Sequence, residues 1–225
     1  MKDSLKTIIF ATVLGVVCAG LLAAANQVLK PYYEANKEAD KLKNVFNVLG
    51  VPYSTSATSA ELLKLTRAKD PKGVVDEAKV AGMTIYTYDN PQAGRLFAVE
   101  FEGPGLWGPV KGLLCLKSDL KTVYNIAFYE QEETPGLGAE ISGPEFCGQF
   151  KDKTIAGPGE PGIRVAKPAQ AKGNSEVDGI SGATLTCDKV SAMINGISRK
   201  ILDNREAIEK AAAKSVAAEK ESGNE

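Results

Sequence analysis

From Thr7 to Leu29 the chain carries no charged residue. The run TIIFATVLGVVCAGLLAAANQVL is bounded by Lys6 and Lys30. A helix crosses the hydrocarbon core of a bilayer with about 20 apolar residues, so this run is long enough to span. Asn26 and Gln27 fall at its end, where they would meet the interface. The run has no polar face, which argues against the core helix of a soluble domain. A cleaved signal peptide is the rival reading, since Ala23-Ala24-Ala25 offers small residues for cleavage after Lys2 and Lys6. The run exceeds the usual signal core of about 7–15 residues, which favours an anchor. Both readings export the rest of the chain. Lysines flank both ends, so the distribution of positive charge does not orient the segment.

The 225 residues hold 27 basic and 28 acidic side chains, a net charge of −1. No basic stripe points to nucleic acid. The histidine count is zero. That removes Ser-His-Asp and Cys-His catalysis, histidine-ligated haem and most zinc or copper sites. No metal ligands and no catalytic residue are expected, and redox chemistry would require an organic cofactor or cysteine ligands. Cys18, Cys115, Cys147 and Cys187 are widely spaced and form no CxxC pair, so an iron–sulfur cluster held by this chain alone is disfavoured. Cys18 reads as a small hydrophobe of the apolar run.

Four regions follow from the pattern: a membrane anchor over 1–30, a helical connector over 31–79, a folded domain over 80–205 and a charged tail over 206–225. Pro31 suits a helix start, and Val45, Phe46, Val48 and Leu49 give that helix an apolar end before Gly50 and Pro52. A short helix is expected at 60–67. Strands are expected at 83–89, 95–101, 111–117 and 122–130, with a hairpin connection at Asp119-Leu120-Lys121. A short helix begins near Glu145–Gln149, and a short strand at 163–166 lies in the Gly/Pro-rich loop that contains AGPGEPG. That loop is not a dinucleotide fingerprint, because no strong strand precedes it and no helix follows. Val190, Met193, Ile194, Ile197 and Ile201 recur at helical spacing and mark the last element as an amphipathic helix. The tail lacks a strong apolar face and is expected to fray. The fold class is α+β: a single N-terminal transmembrane helix, then a mostly antiparallel sheet packed by helices.

The segment Asp178-Gly179-Ile180-Ser181-Gly182-Ala183-Thr184-Leu185-Thr186 sits between the loop and the final helix, which is expected to begin near Thr186. Small residues let another molecule approach the backbone closely. The free N–H groups and dipole of a helix start favour an anion there. Small and hydroxylated residues before a helix are also ordinary capping and turn residues. Composition alone leaves both readings open.

The string SGAT preceded by DG resembles the flavinylation motif of the covalent FMN-binding domain family, represented by the C subunit of the sodium-translocating NADH:quinone reductase and by the related G subunit of the Rnf complex. Gly103-Pro104-Gly105-Leu106-Trp107 resembles the GxGLW segment of the quinone-reductase subunit. Residues 129–141 (YEQEETPGLGAEI) resemble the ETPGLG segment of both subunits. The order of the three segments and the N-terminal span agree with the family, and the GLW segment favours the quinone-reductase subunit.

This resemblance implies FMN joined by its phosphate to Thr184, with Ser181, Gly182, Ala183, Leu185 and Thr186 around the attachment point. It implies that Leu106 and Trp107 pack on the ring and that Thr134 and Gly136 bond to it. Lys167 would contact the flavin or its phosphate, and Asp178 would serve modification. For each of these a structural role is the competing reading: a core tryptophan, a Pro-Gly turn, a solvated lysine, an Asp-Gly turn. Thr184 is an attachment point and not a base, so a separate flavin transferase, using FAD and magnesium, would load it. The implied function is electron transfer within a membrane NADH:quinone oxidoreductase coupled to sodium translocation, in a bacterial inner membrane, with the flavin domain on the periplasmic or outer side. The implied partners are the other subunits of that complex. The alternatives are an Rnf-type subunit, a free-standing anchored flavoprotein, or a tethered scaffold without cofactor.

Overall fold

A computed structural model of the chain describes residues 2–54, 57–66, 73–156 and 162–222. Most of the Gly/Pro-rich loop, 157–161, lies outside the described residues. The chain divides into two compact units, Met1–Asp40 and Lys41–Glu225.

Helix α1 runs unbroken over Lys2–Leu49 with Pro31 inside it. The expectation that Pro31 opens a separate helix is therefore corrected. A proline inside a helix loses one hydrogen bond and costs about 3 kcal/mol. The alanines and Leu29 before Pro31 and the Ala-, Lys- and Glu-rich turns after it have the propensity to carry the helix across that defect. Within the first unit, an 18-residue window reaches a mean hydropathy of 2.5 with none of it buried. Its apolar side chains, Phe10, Val16 and Leu22 among them, are all exposed. By length and composition this helix can cross a membrane.

In the second unit the end of α1 is packed: Leu42, Val45, Phe46, Val48 and Leu49 are buried. Gly50 terminates the helix at φ +68°. The Val51 N–H returns to the Phe46 carbonyl at 2.9 Å, the 6→1 bond of a Schellman stop. Asn90 Nδ2 donates to the Leu49 carbonyl, tying the helix end to the sheet. Helix α2 (Ser59–Lys64) has a complete capping box, with Thr58 and Glu61 exchanging bonds; it stops short of the expected residue 67.

A five-stranded antiparallel meander follows: β1 (Asp76–Val80), β2 (Met83–Asn90), β3 (Gly94–Pro104), β4 (Pro109–Leu116) and β5 (Val123–Glu130), in sequential order. The four expected strands are all present. The additional edge strand β1, DEAKV, alternates half-buried and exposed. A 3-10 turn (Gly138–Ser142) and helix α3 (Pro144–Gly148) lead to a small parallel pair, β6 (Arg164–Ala166) and β7 (Glu176–Asp178). Helix α4 (Thr184–Asp203) buries Val190, Met193, Ile194, Ile197 and Ile201, the stripe read from the sequence. Phe101, Phe128, Phe146 and Phe150 form a chain of tilted and edge-on rings, 5.3–6.1 Å apart, within the same core. Helix α5 (Arg205–Ser222) covers the tail, and Ile208 and Ala212 are buried near β1. The start of the tail is thus anchored rather than frayed, by two apolar residues one helical turn apart.

Candidate functional site

Helix α4 begins at Thr184, two residues earlier than the sequence pattern suggests. The turn before it depends on Gly182, whose φ is +78°. A Cβ there would also come within 2.9 Å of Leu137, so the turn packs closely on the ETPGLG segment. Ala183 occupies the N-cap and offers no side-chain acceptor, and the first turn holds no acidic residue. The free N–H groups of a 20-residue helix are therefore left without a side-chain cap. Ser181, Gly182, Thr184 and Leu185 are exposed, whereas Ala183 and Thr186 are buried.

Thr186 turns inward. Its hydroxyl donates to Glu133 Oε2 at 2.5 Å. Glu133 Oε1 accepts the backbone N–H groups of Leu106 at 2.7 Å and Trp107 at 3.1 Å. One carboxylate thus joins the GLW turn to the first turn of α4. Two glycines make room for it. A Cβ at Gly105 would lie 2.5 Å from Glu133 Oε1, and one at Gly138 would lie 2.8 Å from Oε2 and 2.7 Å from the Thr186 hydroxyl. Burial pushes the Glu133 carboxyl up, but the Thr186 hydroxyl and the two N–H donors outweigh it. The net result lies below the ordinary carboxylate range.

The GLW segment closes on itself through the Gly105 N–H to the Gly108 carbonyl at 2.8 Å. Trp107 is 70% exposed and Leu106 43%, so this tryptophan is not a core residue. Outside α1, the large apolar side chains that are exposed among the described residues are Val74, Leu106, Trp107, Leu137 and Leu185. Four of these five stand on the segments that Glu133, Gly138 and Gly182 link to the first turn of α4 and the turn before it. Thr134 has an exposed side chain, and its carbonyl accepts the N–H groups of Leu137 and Ala139, with Gly136 at φ +75° completing the turn.

Asp178 ends strand β7 rather than opening a turn with Gly179. Its Oδ1 accepts the N–H groups of Gln170 and Ala171, and its own N–H donates to Gln149 Oε1. It therefore shapes the loop that begins at Lys167, which is exposed just after β6. Gly179 N–H bonds the Ala166 carbonyl at 2.9 Å and brings this loop beside the start of the SGAT segment. Cys187 is buried, and its sulfur accepts the Ile180 N–H at 3.4 Å. Burial pushes its thiol up, so it is a packing group and a poor nucleophile. All four cysteines are free.

Glu133, Leu137 and Gly138 escape a reading of the sequence. The ETPGLG motif contains all three, but the resemblance marks only Thr134 and Gly136 within it. A carboxylate preceding a Pro-Gly turn looks solvated in sequence; its burial follows from bonds to partners 27 and 53 residues away.

Strands β4 and β5, the helix start without a side-chain cap and the small-residue turn all fall within the stretch of chain that is similar to known flavin-binding proteins. Residues 105–197 match the family described as FMN-binding domain. The chain resembles the C subunit of the Na(+)-translocating NADH-quinone reductase. It is 29% identical to that protein from Pasteurella multocida (strain Pm70), over 84% of this chain and 88% of the relative. The crystal structure of the same protein from Parabacteroides distasonis ATCC 8503 superposes with a TM-score of 0.60 at 29% identity, covering 75% of this chain and 92% of the other. The structure of Shewanella oneidensis NqrC, at 20% identity and a TM-score of 0.56 over 71% of this chain and 91% of the other, shares the fold.

Proposed function

We propose that the chain is an electron-carrying subunit of a membrane NADH:quinone reductase that translocates sodium ions, and that it holds FMN through a phosphoester to Thr184. The observation that carries this reading is the exposed Thr184 at the first position of α4, behind an N-cap with no side-chain acceptor. An anion at a helix start gains about 0.3–1 kcal/mol from the dipole and finds unspent N–H donors. The residues present fit the group: small residues around the attachment point, and Leu106, Trp107, Leu137 and Leu185 as apolar surface for a ring. FMN supplies the electron-accepting and electron-donating chemistry when bound.

The chain's own residues have simpler tasks. Thr184 Oγ1 tethers, Gly182 sets the turn, and Asp178 holds the 167–171 loop beside the motif. In loading by a transferase, the bond from Thr184 Oγ1 to phosphorus forms as the pyrophosphate P–O bond of FAD breaks. AMP leaves, and the hydroxyl proton passes to the transferase or to solvent. Thr186 is unsuited to this role because it is buried and its hydroxyl is bonded to Glu133.

The name of the relatives supports the assignment to a multi-subunit complex. In this reading 1–30 is the anchor, 31–79 the connector, 80–205 the flavin domain and 206–225 the tail. The domain faces the periplasmic or outer side of a bacterial inner membrane. The test is intact mass and peptide mapping of protein from its native membrane. The Thr184 peptide is expected to be heavier by one FMN less water, and the increment is expected to vanish in Thr184→Val. An unmodified Thr184 in a host that has the transferase would sink the assignment and favour a tethered scaffold.

A further inference from the structure

We propose that Glu133 is a positioning residue for the flavin ring: its carboxylate latches the Leu106–Trp107 turn to the first turn of α4, the turn that opens at Thr184, and so fixes the place of Leu106 and Trp107 relative to it. This rests on the flavin reading above and extends it to a residue outside the attachment motif. Among the described residues, Glu133 is the one charged side chain in the buried set. A buried carboxylate is costly unless its oxygens are bonded, and here both are. The site is also built around it. Gly105 and Gly138 lack a Cβ where the two carboxylate oxygens sit, and a side chain at either position would displace the latch. Lys189, farther along α4, supplies an attractive charge.

The two ends of the latch belong to different motifs. Leu106 and Trp107 sit on the β3–β4 connection, and Thr186 sits on α4. Glu133 therefore links the turn to the first turn of α4 through Thr186. Gln at 133 preserves this geometry, because its oxygen can accept the two N–H groups while its NH2 donates to the Thr186 oxygen. Ala at 133, or Val at 186, does not.

The chain has a single tryptophan, Trp107, which makes the latch measurable without the cofactor. Time-resolved fluorescence anisotropy of the full chain in detergent, on a Thr184→Val background that carries no flavin, reads the mobility of the turn. Glu133→Ala and Thr186→Val are expected to add a fast depolarising component that the parent lacks. Glu133→Gln and Thr186→Ser are expected to restore the parent decay. In flavin-loaded protein, the same two loosening variants are expected to shift the visible flavin band toward that of free FMN, with rescue by the same conservative pair. The proposal is overturned if Trp107 in folded Glu133→Ala and Thr186→Val moves no faster than in the parent, or if the loaded variants keep the parent's flavin band. Since the first measurement needs no cofactor, its failure is distinct from a failure to find FMN on Thr184.

Discussion

Thr184 and Thr186 stand two positions apart, and a helix advances about 100° per residue, so their side chains leave the axis about 200° apart. One hydroxyl faces solvent and the other faces Glu133. The inward one is held by an acid whose carboxyl is kept below its ordinary range, and the sign of the resulting pH dependence is fixed. Glu133 contributes stability above its unfolded pKa of about 4.3. That contribution fades as pH falls through the lower folded value. The stability gap between the parent and Glu133→Gln is therefore expected to be constant from neutral pH to about pH 5 and to narrow in stronger acid. Chemical denaturation at a series of pH values checks this; a gap that widens on acidification would reverse the assignment.

At the scale of elements, α1 belongs to two environments. Its exposed apolar part lies in one unit, and its last two turns supply Leu42, Val45, Phe46, Val48 and Leu49 to the core of the other. A chain starting at residue 41 is expected to fold as a soluble domain. One starting at residue 51 loses five buried apolar side chains, each worth about 1.5–3 kcal/mol, against a total stability of about 5–15 kcal/mol. Circular dichroism and a thermal melt distinguish the two, and a cooperative melt in the shorter chain would refute the claim. The elements differ in how plainly the sequence announces them. Strands β2 to β5 show period-2 or apolar runs between turn residues, and α4 carries a clean helical stripe. Strand β1 does not, because DEAKV is an edge strand with charged residues facing water. Pro31 gives the same local signal at a helix start as inside a long helix, and only the continuity of the structure separates them. The start of α4 is legible to within two residues. Glu133 is not, because its meaning lies in partners distant along the chain.

At the scale of the whole molecule, the acid–base character of the site has a consequence of its own. The 225 residues contain no histidine. Of the titratable groups in contact with the first turn of α4, Glu133 is held below its ordinary range and Cys187 above it. Neither changes charge between about pH 6 and 8. With FMN on Thr184, a midpoint potential titrated across that window is expected to follow the flavin's own protonation, without the break that a titrating neighbour imposes. A break in that window beyond the one free FMN shows from ionisation of its own reduced form would contradict this. On the flavin reading, the first turn of α4 offers a cofactor a perch whose own Glu133 and Cys187 keep their charge near neutral pH, so acidity would be felt there through the flavin and not through these two neighbours.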